Sequence, residues 1–213
     1  MNEPTETIEL ENQTVEIYQD EFSIDPREWD NLGIMAFFHG RYNLGDKHDF
    51  MGVREVVNGE YTYYDDHPDD FTKYLDDHKT IELPVYMYDH SGIGLSTDNS
   101  RYPFNCPWDS GMLGYIYVTY ERVREEFGWK NLTKERIQKI RSYLQNELEV
   151  YDYFLRGSCY GYHLVCKDCG EELDTCWGFY GENWKENGLL DQLSGFTCVC
   201  QKAKVFQNLG MGL

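Results

Sequence analysis

Two groups of residues in this sequence have the types and spacing that chemistry requires. The first lies in a polar loop between two predicted strands, where Cys106 could act as a nucleophile and His90 as its base. Asp89 or Asp109 could orient the imidazole. No predicted helix begins just after the cysteine to activate its thiol, and Pro107 removes the next backbone donor. The same residues also fit an ordinary structural turn, so we predict a protein without a catalytic site and keep this group as an alternative.

The second group consists of two cysteine pairs near the C-terminal end of the sequence. Cys166-x-x-Cys169-Gly170 is typical of the first half of a zinc ribbon, and Cys198-x-Cys200 could supply two further thiolates. The second pair is more tightly spaced than the usual Cys-x-x-Cys. A hairpin turn with incidental thiols explains the residues as well. We therefore predict no bound cofactor and keep zinc on these four cysteines as the alternative.

A third pattern is weaker. His39 and His48 lie near Asp46 and Asp49 and could coordinate a divalent metal. Histidines in loops more often bind backbone carbonyls, and we favour that interpretation. The remaining cysteines within predicted strands, Cys159 and Cys176, are expected to be small core residues.

Composition narrows the setting and the partners. The chain has 213 residues, of which 41% are hydrophobic, so it can bury a real core. Its 38 acidic and 19 basic residues give a net charge of −19, which repels nucleic-acid phosphates and anionic lipids. The sequence lacks an apolar run of about 18 residues, and its start is acidic, unlike a secretory signal. We expect a cytoplasmic protein with reduced or metal-bound cysteines, and no direct contact with nucleic acid or membrane.

One acidic cluster stands out as a partner surface. A short helix is predicted from Pro68, and Asp76 and Asp77 fall at its C-terminal end, where the helix dipole disfavours negative charge. Local stability does not require carboxylates there. We therefore predict a partner-binding patch, with an ordinary solvated face as the alternative, and it comprises Asp65, Asp66, Asp69, Asp70, Asp76 and Asp77.

Residue patterns predict the elements that must position these groups. Runs of β-branched and aromatic residues predict an edge strand at 14–18 and further strands near 34–38, 53–64, 83–88, 114–118, 158–165, 172–180 and 196–206. Asn58-Gly59 predicts a type I′ turn, which makes 53–64 a hairpin.

Helix signals are equally local. The helix from Pro68 should bury Phe71, Tyr74 and Leu75, and a second helix should run from a Thr119 cap to Phe127, closed by Gly128. Apolar residues recurring every three or four positions predict a long amphipathic helix from Lys134 to about Leu155. The fold class is therefore α+β, a largely antiparallel sheet with one long helix and shorter helices packed on it. We predict a loosely ordered acidic tail at residues 1–13 and a single domain at 14–213.

As an ordered set, several segments resemble a group of uncharacterised proteins carried by bacteriophages, prophages and related mobile elements. The matching segments are Asp25–Gly33, Arg41–Asp46, Leu83–Gly92, Cys106–Gly111 with Gly114–Val118, and Cys176–Gly181. The resemblance implies a bacterial cytoplasm as the setting and carries no assigned activity. In that group the turn between Val165 and Glu172 is often acidic and lacks the paired cysteines, which weighs against the zinc site.

Charge and resemblance together lead to the functional hypothesis. We expect a non-enzymatic phage accessory protein that binds and inhibits a host protein with a basic surface, such as a defence nuclease of a CRISPR or restriction system. Its carboxylates would occupy a cationic groove that normally takes nucleic acid. The alternatives are a small hydrolase or transferase that uses Cys106 and His90, and a zinc-stabilised binding module. The oligomeric state stays open.

Overall fold

The computed structural model describes residues 3–48, 54–57, 60–63 and 68–200, with backbone only at 54–57, 60–63 and 68–70. The strands in chain order are β1 (Glu6–Glu9), β2 (Gln13–Gln19), β3 (Ile34–Phe37), β4 (Arg54–Val57), β5 (Glu60–Tyr63), β6 (Thr80–Asp89), β7 (Ile93–Ser96), β8 (Ser110–Thr119), β9 (Cys159–Cys166) and β10 (Glu172–Tyr180). The helices are α1 (Pro68–Asp77), α2 (Tyr120–Phe127) and α3 (Lys134–Leu155). The predicted α+β class, with largely antiparallel pairing and one long helix, is confirmed.

The chain divides into two compact units. The terminal unit contains Met1–Ile24 and Tyr153–Leu213, and the central unit contains Asp25–Asp152. The sequence predicts one domain from residue 14 onward. Composition gives no sign of this division, because one boundary falls inside α3 and neither is marked by a Gly/Pro-rich linker.

The terminal unit is built on a four-stranded antiparallel sheet with the order β1-β2-β9-β10. One face is apolar, because Val15, Ile17, Tyr162 and Leu164 alternate along β2 and β9 and are almost fully buried. Residues 181–198, here called the covering segment, pack over this face. The covering segment contributes Trp184, Leu189, Leu193 and Phe196 to the core.

The central unit contains a second antiparallel sheet, β3-β8-β6-β7, and the separate β4–β5 hairpin. The hairpin predicted around Asn58-Gly59 is confirmed by the pairing of Val57 with Glu60. Helix α1 packs Phe71 into a cluster with Ala36 and Tyr117, and Tyr74 and Leu75 flank it, as predicted.

Local signals fix both ends of α2. The Thr119 side chain accepts a hydrogen bond from Arg122 N at 3.2 Å, and Gly128 closes the helix in the left-handed conformation with φ +65°. Helix α3 buries Ile140, Leu144, Leu148 and Tyr151, as its periodicity predicts. Leu144 packs where Gly33 has no side chain, since a Cβ there would lie 2.5 Å from Leu144 Cδ2.

A buried charge cluster ties α3 to the start of β3. Arg27, whose side chain is 7% exposed, binds Asp46 through two nitrogens at 2.6 and 3.1 Å and lies 3.6 Å from Glu147. Glu147 accepts hydrogen bonds from the backbone N–H groups of Leu32 and Gly33. Burial raises the pKa of Glu147, although these bonds and Arg27 oppose that shift.

Three details differ from the expectations. Residues 6–9 form β1 and pair with β2, so they are not a loose tail and β2 is not an edge strand. Residues 196–198 are irregular and 199–200 helical where we predicted a strand at 196–206, whose remainder lies outside the described residues. The strands predicted to form one sheet are divided between the sheets of the two units.

Among the described residues, no helix combines the length and apolar character needed to cross a lipid bilayer.

Candidate metal centre

The β9–β10 turn positions the first cysteine pair. Cys166 is the last residue of β9, and its backbone N–H donates to Glu171 O at 2.8 Å. Gly170 adopts φ +74° and donates its N–H to Cys166 O at 2.8 Å, which closes the turn. This local fold brings Cys169 back beside Cys166.

The covering segment delivers the second pair. It crosses the apolar face of the sheet and is fixed near its end by Gln13, whose Nε2 donates to Phe196 O at 2.7 Å. Cys198 is then 1% exposed, and its thiol donates to Glu171 Oε2 at 3.3 Å. Packing of the covering segment therefore places Cys198 and Cys200 against the β9–β10 turn.

The four sulfur atoms form one compact cluster. All lie within 4.8 Å of one another, with Cys166–Cys200 and Cys169–Cys198 at 3.5 Å and Cys198–Cys200 at 3.2 Å. A tetrahedron of sulfur atoms about 2.3 Å from a central zinc has edges of about 3.8 Å. The observed separations are close to these edges and exceed the S–S bond length of about 2.05 Å. Four cysteines thus lie within metal-binding distance, as the alternative interpretation of their spacing requires.

Hydrogen bonds within the cluster shift the pKa values of its thiols in opposite directions. Burial opposes ionisation of Cys166, but the backbone N–H groups of Cys169 and Asp168 and the thiols of Cys200 and Cys169 stabilise its thiolate and lower its pKa to about 7. The bond that the Cys200 thiol donates to Cys198, together with burial, raises the pKa of Cys200. The Cys166 thiol is therefore more readily ionised than the Cys200 thiol.

The other strand cysteines have the predicted core positions. Cys159 is fully buried, and burial together with nearby Asp20 raises the pKa of its thiol to about 11. Cys176 is partly buried and packs on the core of the terminal unit.

In the polar loop of the central unit, the candidate thiol and imidazole both contact Asp109. Cys106 Sγ lies 3.7 Å from Asp109 Oδ2, and His90 Nδ1 lies 3.6 Å from the same oxygen. Both groups therefore contact the same carboxylate oxygen, and within the described part of the chain no hydrogen bond joins the thiol to the imidazole. A nucleophile activated by a base requires the imidazole next to the thiol. Asp89, the other candidate carboxylate, lies 3.4 Å from Arg41.

A shallow cavity of about 370 Å³ lies beside this loop. Asp89, Asp109 and His39 line it together with Arg41 and the exposed side chain of Trp108. His90 and Cys106 are not among its lining residues. The cavity therefore does not unite the thiol, base and carboxylate around one space for a substrate.

Backbone groups engage the histidines of the weaker metal pattern. His39 Nδ1 accepts hydrogen bonds from the N–H groups of Arg41 and Tyr42, and His48 Nε2 contacts Phe37 O at 3.1 Å. Asp46 binds Arg27, and Asp49 lies outside the described residues. His48 thus makes the predicted contact with a backbone carbonyl, whereas His39 accepts hydrogen bonds from backbone N–H groups.

The predicted acidic patch is only partly within the described residues. Asp76 and Asp77 are exposed in the last turn of α1, which contains no basic residue. Asp69 and Asp70 lie in the first turn of α1, described there as backbone, and Asp65 and Asp66 lie outside the described residues.

One group of polar and aromatic residues was not predicted from the sequence. Tyr18, His163 and Trp177 lie together on the outer face of the terminal sheet, with Glu16 and Glu172 beside them. Alternation along β2 and β9 assigns Glu16, Tyr18 and His163 to the face opposite the core, which is the signal that could have found them. The position of Trp177 depends on an irregularity in β10 between Cys176 and Phe179.

No protein-family model, curated protein or solved structure matches this chain.

Proposed function

We propose that this chain is a zinc-binding protein in which Cys166, Cys169, Cys198 and Cys200 hold one structural zinc ion. The observation that supports it is the convergence of four sulfur atoms within 4.8 Å of one another. Thiolate sulfur is a preferred ligand of structural zinc, and four such ligands complete its tetrahedral shell. No coordination position is then left for water or substrate, so the proposed role is structural.

The zinc ion would join two parts of the terminal unit that are distant in sequence. Cys166 and Cys169 belong to the β9–β10 turn, whereas Cys198 is the last residue of the covering segment and Cys200 lies just beyond it. Joining them would hold the covering segment over the apolar face of the sheet. In metal-stabilised domains the free energy of metal binding adds to the stability of the fold.

Zinc content tests this proposal directly. Protein purified from zinc-supplemented medium should contain about one zinc ion per chain by elemental analysis. Cys169→Ser and Cys200→Ser should each lose most of the zinc, and Cys106→Ser is the matched control because it removes a thiol outside the cluster. Cobalt-substituted protein should show the absorption of tetrahedral thiolate coordination. Zinc-free protein, or equal zinc in all three variants, would contradict the proposal.

We further propose that the protein acts without enzymatic chemistry, as an acidic accessory protein that binds and inhibits a host protein with a basic surface. The net charge of −19, the exposed Asp76 and Asp77, and the resemblance to proteins of bacteriophages and mobile elements support it. A nucleic-acid-handling defence protein, of the CRISPR or restriction kind, is the expected target. The carboxylates would compete with nucleic acid for its cationic groove.

Capture from a bacterial lysate, followed by an assay of the captured protein, tests this second proposal. Binding should weaken steeply between low and high salt, and the captured protein should lose nucleic-acid binding or cleavage. Asp76→Asn with Asp77→Asn should weaken capture more than Glu121→Gln with Glu125→Gln, which removes two exposed charges from α2. Salt-insensitive capture, or an uninhibited target, would contradict the proposal.

A further inference from the structure

The outer face of the terminal sheet presents three aromatic side chains in contact. Tyr18 and His163 meet edge to face with ring centroids 5.3 Å apart, and His163 and Trp177 do so at 5.6 Å. Tyr18 and Trp177 lie 6.3 Å apart. Trp177 is 44% exposed, so this cluster faces solvent although it consists of large rings.

Gly161 makes this arrangement sterically possible. A Cβ at that position would lie 2.2 Å from Trp177 Cε3 and 2.4 Å from Trp177 Cδ2. The indole therefore rests directly on the β9 backbone at a position where any side chain would displace it. Register places Gly161 opposite Tyr18, which leaves the tyrosine ring beside the indole.

Two carboxylates flank the rings. Glu16 accepts a hydrogen bond from the Tyr18 hydroxyl at 2.8 Å, and Glu172, whose side chain is 50% exposed, contacts His163 Nδ1. Strands β2, β9 and β10 contain neither lysine nor arginine. An aromatic surface with negative charge at its edges and no resident cation within these strands is complementary to a cationic ligand.

We propose that Trp177, Tyr18 and His163, with Glu16 and Glu172, form a binding platform for an arginine side chain of a basic partner protein. The guanidinium would stack on the indole and donate hydrogen bonds to a flanking carboxylate. The platform deepens the partner-binding function proposed above, on which its biological role rests, and it lies outside the acidic patch of α1.

The chemistry of the surface favours arginine over the other occupants. A guanidinium is planar, stacks on aromatic rings and can pair with carboxylates in bidentate fashion, whereas a lysine ammonium is a compact, strongly hydrated point charge. Nucleic-acid bases also stack on exposed aromatics, but such sites combine the rings with a positive groove for the phosphates. Here the flanking groups are carboxylates, which would repel phosphates.

Calorimetric titration with a hexa-arginine peptide tests the platform without the host partner. Trp177→Ala should weaken binding about tenfold, and Trp108→Ala, which removes another exposed tryptophan, should change it less than about twofold. Glu16→Gln with Glu172→Gln should weaken binding more than Glu121→Gln with Glu125→Gln. Both pairs change the net charge equally, so a larger effect of the first pair is specific to the platform. Circular dichroism confirms that each variant is folded.

Two comparison ligands complete the test. Hexa-lysine should bind the unaltered protein more weakly than hexa-arginine, and oligo-dT should not bind. Equal effects of the two glutamate pairs would overturn the platform in favour of general charge attraction, and oligo-dT binding that Trp177→Ala abolishes would overturn it in favour of nucleic acid. Absence of hexa-arginine binding would also overturn it. Capture of a host protein that depends on Asp76 and Asp77 would still support the broader function.

Discussion

The two units of this chain secure their long-range contacts by different means. In the central unit, a buried ion cluster of Arg27, Asp46 and Glu147 and close packing of Gly33 against Leu144 hold the elements together. In the terminal unit, the covering segment ends at four converging thiols. Small cores commonly need a metal or a cross-link, whereas a larger core is stabilised by packing alone. The contrast predicts that metal stabilises one unit and not the other.

Metal removal should have the largest effect and should be confined to the terminal unit. Chelation, or Cys169→Ser, should lower the free energy of unfolding of that unit by on the order of 5 kcal/mol, because metal binding adds to folding. Hydrogen exchange measured by mass spectrometry should show loss of protection in β9 and β10 while β6 and β8 stay protected. Cys106→Ser is the control. Equal loss of protection in both units would remove the contrast.

Gly114→Ala should produce the opposite pattern. A Cβ at this position, where φ is +154°, would lie 2.1 Å from Ala36 O in the paired strand β3. We expect the central unit to lose about 3 kcal/mol, through overpacking and backbone strain. Zinc content, measured by elemental analysis, should stay unchanged. If zinc is lost together with protection of β8, the two units are not independent in stability.

The smallest effect concerns pH and the ion cluster of the central unit. Because burial raises the pKa of Glu147 in the fold, protonation of this group favours folding. That contribution is complete below the unfolded pKa and is lost as pH rises through the folded pKa. The stability of the unaltered protein relative to Glu147→Gln should therefore fall as pH rises above 4.5, the ordinary pKa of a glutamate side chain. Urea titrations at each pH measure this difference in the free energy of unfolding, with Glu125→Gln as the control. A difference that rises with pH would show that the ionised Glu147, and not the protonated one, favours folding.

The sequence predicts those parts of the fold that local rules determine. Asn58-Gly59 indicated the hairpin, Thr119 and Gly128 indicated the ends of α2, and the spacing from Ile140 to Tyr151 indicated the buried side of α3. Each of these signals depends on residues close together in the chain. The division into two sheets depends on distant pairings, such as β2 with β9, and no local pattern reveals it.

The candidate sites show the same limit. Spacing indicated the four cysteines as an alternative, because Cys166-x-x-Cys169-Gly170 is a local motif, but only packing of the covering segment brings Cys198 and Cys200 to them. Phe196 and its neighbours are good β-formers, yet residues 196–200 do not form a strand, because tertiary contacts overrode propensity. The contact between His90 and Asp109 in the polar loop likewise joins residues that are distant in sequence.

The pairing of β2 with β9 also affects the order in which the two units can fold during synthesis. Asp20 N donates to Cys159 O at 2.8 Å, so the chain leaves the terminal sheet and returns to it at neighbouring points. The ribosome completes the intervening 128 residues, Asp25–Asp152, before β9, the second neighbour of β2 in the sheet, exists. The sheet of the terminal unit can therefore be completed only after β9 and β10 are synthesised, whereas the central unit can fold before that. A chain in which a short linker joins residue 24 directly to residue 153 would contain the terminal unit alone.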